Sequence, residues 1–417
     1  MLDELAVVNV ANLLTLRYDP DTGNNGTIRD ISYQDVLNSR QSSSRVPSSE
    51  EIEAKIRKKI RDEIDRRGTR RISLAISAGI DSNLIFCLIK KEFSDVEIDC
   101  LTVNFDYEDD ATSEVRIAKK IAQAQNAGFH EIYVENPLKD LPLLISIVKE
   151  PRWNIYQYYF IKKASTFSNM LFTGDGGDEL FGGYTFRYQR YIENLKTDQS
   201  WIDRVRLYLL CHERDWVPDQ ESMFGPNIKF QWSSIYTILR KYFDNDLDPL
   251  DQVLMADYHG KLMYDFIPAN QKFFTHFNIN GVAPLLSNDV IDLSIKIPPA
   301  MKYDYSTNKG KLQLREILKR NTSSEVNNLI EDKKMGFSID LTKFWIKYGK
   351  EIVTSNLDKA RIFDDNIINR DWYIKSLNRI NKDKLAVRDI SKMLQLLSLE
   401  IWYKLFVTSE ITEKSCL

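Results

Sequence analysis

Between residues 71 and 173 short apolar runs alternate with longer amphipathic ones, and this rhythm restricts the fold more than anything else in the 417-residue chain. "RISLAI" (71–76), "EIDCLTVNF" (97–105), "HEIYV" (130–134) and "MLFT" (170–173) have the length and composition of buried strands. "SNLIFCLIKK" (82–91), "ATSEVRIAKKIAQAQ" (111–125) and residues 154–168 read as helices. Strands separated by helices pair in parallel, and a parallel sheet needs helices on both faces. The expectation is an α/β fold of that kind. Ligands then bind beyond the carboxyl ends of the strands. Two loops rich in small residues, 77–82 and 174–178, follow strand ends and are expected to face one crevice.

The flanking regions differ in character. Residues 1–49 are polar and turn-rich ("DPDTGNNG", "NSRQSSSRVPSSE") and read as an irregular lead-in. Ser48 and Glu51 have capping-box spacing, and Ile52, Ile56, Ile60 and Ile64 then place one apolar stripe on a helix. Residues 50–195 form the expected α/β core. From 196 to 417 strand-like runs are rare and aromatic-rich helical patterns dominate, as in "WIDRVRLYLL" and "KMLQLLSLEIWYKLF". This mostly helical part is expected to close over the ligand edge of the sheet.

Composition removes several function classes. Lys plus Arg at 57 against Asp plus Glu at 60 gives a net charge of −3, so nothing calls for bulk nucleic-acid binding. The four cysteines and four histidines lack metal-ligand or disulfide-framework spacing. The apolar run "LAVVNVANLLTL" is too short for a membrane span and lacks a basic signal-peptide flank. The chain reads as soluble and cytoplasmic, with no membrane partner. A homo-oligomer is left open.

The two loops carry the chemistry. "LAISAGIDSN" is a strand, a small-residue turn and a helix start, where backbone N–H groups and the helix dipole attract an anion. Taken alone, an ordinary polar helix cap has the same look. "LFTGDGGDELFGGY" (171–184) holds five glycines and three acids, Asp175, Asp178 and Glu179. Carboxylates beside a phosphate site require a cation between them, which suggests a magnesium-nucleotide.

"SAGIDS" resembles the pyrophosphate loop of the N-type ATP pyrophosphatases, and "GDGGDELFGGY" resembles the second signature of asparagine synthetases. Further similar stretches follow in the same order: "KLQLREILK" (311–319), "KKMGFSIDLTKFW" (333–345) and "LLSLEIWYKLF" (396–406). The resemblance covers about residues 50–406, the family's synthetase domain. It implies an ATP-dependent, AMP-forming amide ligase using Mg²⁺, with aspartate and ammonia as the substrates. By the same resemblance Ser77, Gly79, Asp81 and Ser82 bind the β- and γ-phosphates, and Asp81 and Asp178 hold Mg²⁺. Leu74, Val103, Thr173 and Gly174 line the nucleotide pocket, largely through backbone atoms, while Asp175, Tyr184, Lys334 and Glu150 lie nearest the reacting groups.

The pattern breaks in three places. Ala78 replaces a glycine of the pyrophosphate loop, which a negative φ would tolerate. In "INGVAPLLSND" (279–289), Asn280 and Val282 replace an acid and a base of the family stretch, which opens the identity of the acceptor carboxylate. The family's N-terminal glutaminase has no counterpart, Leu2 standing where its cysteine would be, so free ammonia or a separate glutaminase subunit is expected to supply nitrogen. Weighed beside this reading are adenylation of another acid, as in β-lactam synthetases, modification of tRNA, and a non-catalytic partner subunit.

Overall fold

The computed structural model describes residues 9–21, 28–42, 45–105, 114–330, 340–382 and 386–417. Among them the sheet has five strands: β1 (Arg71–Ala75), β2 (Glu97–Phe105), β3 (Gly128–Val134), β4 (Met170–Phe172) and β5 (Asn280–Val282). Their order is β3-β2-β1-β4-β5, and every pairing is parallel. The strand order reverses between β1 and β4, so the crevice expected at such a switch point lies above these two strands.

Period-two alternation sorts the strand side chains between two cores. Ile72, Leu74, Ile98, Cys100, Met170 and Phe172 face the helices Ser49–Arg67 and Ile80–Glu92. Leu101, Val103, Phe105 and Leu171 face the other side, packed with helices Leu141–Val148, Gln157–Ala164 and Val387–Phe406. The sheet is therefore covered on both faces, as its apolar strands require.

The capping box at Ser48 and Glu51 is formed, and Ile52, Ile56, Ile60 and Ile64 are all buried. Burying each such side chain stabilises the fold by about 1.5–3 kcal/mol.

Two expectations about organisation change. The lead-in contains helices Val10–Leu16 and Tyr33–Gln41. The first is wedged into the core: the Leu14 carbonyl accepts hydrogen bonds from the buried Lys392 ammonium and from Gln220 Nε2. The second is tied to the helical half by Arg40, whose guanidinium grips both oxygens of Asp251. The sheet itself crosses the division expected near residue 195, because β5 comes from residues 280–282.

Candidate active site

The loop after β1 is shaped by its own side chains. Asn83 Nδ2 donates to the carbonyls of Ser77 (2.9 Å) and Gly79 (2.7 Å), closing the turn. The Ser77 N–H donates to Ser82 Oγ at 3.1 Å, and the Gly79 N–H to Ser77 Oγ at 3.1 Å. Gly79 is the N-cap of the Ile80–Glu92 helix, and no side chain caps the first turn. That helix end is the electropositive lip of the cavity. Ala78 is fully buried and is not among the residues with positive φ, so its methyl group is accommodated.

The loop after β4 lies directly against the first. A Cβ at Gly174 would stand 2.6 Å from the Ser82 nitrogen, and one at Gly177 would run into the Asp81 carboxylate. Glycine is required here by close approach of the two loops. Gly176 and Gly182 have φ of +95° and +76°, the left-handed region in which L side chains are strained. The Asp178 carboxylate of the second loop is thereby brought beside Asp81.

Their meeting point is a cation that sequence reasoning left without a role. The Lys311 ammonium is 2.5 Å from Asp81 Oδ2 and 2.8 Å from Asp178 Oδ1. Lys311 has φ +59° at the N-cap of the Leu312–Asn321 helix, and its N–H donates to the Phe181 carbonyl at 2.9 Å. Burial alone would lower its pKa, but Asp178 and Asp81 outweigh it and hold the ammonium above its ordinary value. The signal available in the sequence was its position at the head of "KLQLREILK".

Asp175 accepts a hydrogen bond from Thr173 Oγ1 at 2.8 Å. Confinement, reinforced by the Asp81 charge, raises its carboxyl to about 6 despite that bond. Tyr184 donates to Glu179 Oε1 at 2.5 Å, with Arg187 stacked 4.2 Å from its ring centre and Lys261 at 5.4 Å. Burial and the Glu179 charge push the phenol well above its ordinary range, so it is a hydrogen-bond donor at neutral pH.

These groups line a cavity of about 780 Å³ that includes Ser77, Gly79, Asp81, Ser82, Thr173 and Gly174. That volume is within the usual range for small-molecule sites. Its far wall carries both charge signs: Arg17 lies 3.6 Å from Asp215 and 3.5 Å from Asp265, with Lys261 alongside. Burial, then Arg187, lowers Lys261 to about 7. Lys261 lies on a π-helical stretch, Tyr258–Phe266, a distortion frequent at functional sites.

Other expected residues stand elsewhere. The side chains of Leu74 and Val103 lie in the core, and Ala75 lines the cavity at that level. Glu150 does not line the cavity; it pairs with Arg152 Nε at 2.6 Å and Lys272 Nζ at 2.8 Å. Lys334 lies outside the described residues. Cys211 and His212 border the cavity, but both His212 nitrogens are engaged, with the Tyr208 carbonyl (2.8 Å) and Asp257 (3.1 Å). Burial raises the Cys211 thiol to about 11. The pair is not a nucleophile–base unit. Among the described residues no group of three or more His, Cys, Asp or Glu is placed to hold a metal, and no helix is long and apolar enough to cross a membrane.

A family model described as asparagine synthase matches residues 55–404. The chain is 23% identical over 394 residues to asparagine synthetase (glutamine-hydrolyzing) 1 of Bacillus subtilis (strain 168), covering 85% of this chain and 60% of that protein. It thus spans about three-fifths of the length of that relative. Among solved structures, the U34-tRNA thiolase NcsA from Methanococcus maripaludis with its 4Fe–4S cluster aligns over 71% of this chain and 95% of its own. At a TM-score of 0.25 and 12% identity, that likeness has no bearing on function.

Proposed function

Because the chain belongs to the asparagine synthase family, we propose that it is an ATP-dependent, AMP- and pyrophosphate-forming amide ligase, with aspartate as the acid and ammonia as the simplest nitrogen donor. The observation that carries this reading is the convergence of Asp81 and Asp178, one from each loop at the β1/β4 switch point, on one buried cation position.

The donor set fits a divalent cation. Mg²⁺ is commonly bound through one or two carboxylates, with phosphate oxygens and waters completing the shell. Asp81 and Asp178 would hold it. When bound, the ion neutralises charge on the departing pyrophosphate. The residues of the chain do the rest. The N-terminal turn of the Ile80–Glu92 helix and the Ser77 and Ser82 hydroxyls receive the β- and γ-phosphates, with the Lys311 ammonium beside them. The acid's carboxylate oxygen attacks the α-phosphorus, and the α–β phosphoanhydride bond breaks. A nitrogen lone pair then attacks the acyl carbon, the C–O bond to AMP breaks, and Asp175 accepts the surplus proton. Activation is necessary because an amine cannot displace oxide from a carboxylate. Lys334 is assigned to the charge that builds on the α-phosphate, on its motif position alone.

The mixed-charge wall of Arg17, Lys261, Asp215 and Asp265 suits a zwitterionic acid, which supports aspartate. A different acid is the second reading, raised by Asn280 and Val282, which stand where the family stretch carries an acid and a base. ATP–pyrophosphate exchange across a panel of acids, with tRNA as a control, tests both. Aspartate-dependent exchange is expected; exchange with another acid alone would promote the second reading, and exchange driven by tRNA would refute both.

A further inference from the structure

A second cavity, of about 460 Å³, opens on the β5 edge of the sheet. It shares Thr173 and Asp175 with the main cavity, whereas Asp81, Asp178 and Lys311 border the main one alone. Asp175 is thus an acid reached from both sides, whereas the loop after β1, Asp178 and Lys311 are reached from one. The rest of the second cavity is built by the helix Ser49–Arg67, the helix Ile267–His276, β5 and the turn that follows it.

Its polar groups specify a ligand by what they lack. Asn270 is 2% exposed and lines this cavity, yet among the described residues its Oδ1 accepts no hydrogen bond. Ser287 Oγ, also in the lining, is buried without a partner among the described residues. A buried amide oxygen left unsatisfied costs about 1–3 kcal/mol, a deficit that a bound N–H or O–H donor removes. An anion has no hydrogen to give it; an amine has two. The size adds a second constraint. A water-sized molecule such as ammonia occupies about 30 Å³, far less than this space. At the rim Lys55 pairs with Asp289 at 3.1 Å and Lys59 with Glu63 at 2.7 Å, so the mouth is polar and of mixed sign.

We propose that this cavity binds the nitrogen nucleophile, and that the nucleophile class is the primary amines with a short polar substituent rather than ammonia alone. The inference rests on the adenylating-ligase reading and names its second substrate class. The amine nitrogen points toward Asp175 past Asn270 Oδ1, while its substituent fills the space toward the Lys55 and Asp289 rim. The nitrogen lone pair forms the C–N bond at the acyl carbon, the acyl C–O bond breaks, and its electron pair leaves on AMP. One ammonium proton of the addition product passes to the Asp175 carboxylate. The products are an N-substituted amide, AMP and a proton.

The test uses the full chain with ATP, Mg²⁺ and whichever acid supports pyrophosphate exchange. Ethanolamine and ammonia are compared as nucleophiles at equal free-base concentration. Ethanolamine is expected to give a kcat/KM about tenfold or more above that of ammonia. Asn270→Leu is expected to raise the KM for ethanolamine about tenfold while leaving pyrophosphate exchange within about twofold. Gln271→Trp, at an exposed position of the same rim, guards against misfolding of the buried variant; it should slow ethanolamine and spare ammonia. Normal exchange with ammonia active and ethanolamine inert would overturn this proposal alone. So would equal loss with both nucleophiles in Gln271→Trp. Absence of exchange with every acid would overturn the ligase reading and this inference with it.

Discussion

Lys311→Met isolates the charge that joins the two loops. Methionine keeps much of the side-chain stem but removes an ammonium 2.5 Å from Asp81 and 2.8 Å from Asp178. All three side chains are largely buried, at 10%, 17% and 17% exposure. Removing one partner of a buried ion pair costs about 3–5 kcal/mol. One of the two stranded carboxylates can recover part of that by taking up a proton, which places the loss near about 3 kcal/mol. With an unfolding entropy of about 2.1 cal/mol/K per residue, a chain of this length loses about 1 °C of Tm per kcal/mol, hence about 3 °C. The neighbours hold the Lys311 ammonium above its ordinary 10.5. Its contribution is therefore fully present below that value, and because proton uptake by a stranded carboxylate of the variant weakens as pH rises, the Tm difference should be at least as large at pH 9 as at pH 7. Calorimetry in EDTA and in millimolar Mg²⁺ completes the test. In the variant Mg²⁺ should restore most of the loss, because the carboxylate pair is no longer neutralised; in the natural chain Mg²⁺ alone should shift Tm less. An unchanged Tm, or equal Mg²⁺ shifts in both proteins, would refute the shared cation position.

Gly177→Ala should abolish pyrophosphate exchange while circular dichroism stays unchanged, because the new methyl collides with the Asp81 carboxylate. Asp175 is raised from 3.8 to about 6 in the folded chain, so its ionised form, the one able to accept a proton, is gained through about pH 6. At saturating free amine the amide-forming rate should rise through that pH, and Asp175→Asn should flatten the limb. The same shift means that this group's contribution to stability is lost as pH rises from about 4 to about 6, so Asp175→Asn should raise Tm at pH 7 but not at pH 4. Lys334→Ala should lower the adenylation rate by ~10²-fold with little change in ATP affinity, whereas Lys333→Ala should do little. Equal effects at the two positions would remove the specific role of Lys334.

The first four strands were legible because each is an apolar run bounded by turn residues, and their parallel pairing followed from the helices between them. β5 was not. Asn280–Val282 has three residues including a glycine, and its pairing is dictated by β4, so propensity had nothing to report. The helix Val10–Leu16 was obscured by its asparagines. Asn9 caps it, and Asn12 is buried through a 3.0 Å bond to Asp19. The two loops and Asp81, Asp178 and Asp175 were legible because acids, glycines and strand ends are local features. Lys311 was not, since a lysine heading a helix ordinarily meets solvent; its left-handed backbone and the carboxylates from two other segments are tertiary facts. The resemblance assigns Leu74 to the pocket largely through its backbone; strand alternation turns its side chain into the core and leaves the Ala75 side at the cavity.

In the proposed reaction, the crevice above β1 and β4 joins an acid to AMP before nitrogen arrives. The most direct measurement supplies aspartate labelled with ¹⁸O in its side-chain carboxylate, together with ATP and an amine, and follows the label by mass spectrometry. An acyl-adenylate transfers one carboxylate oxygen to the phosphate of AMP, so one ¹⁸O should appear in AMP for each amide formed, with pyrophosphate unlabelled. Label in inorganic phosphate with ADP as the other product, or amide formed with unlabelled AMP, would contradict it.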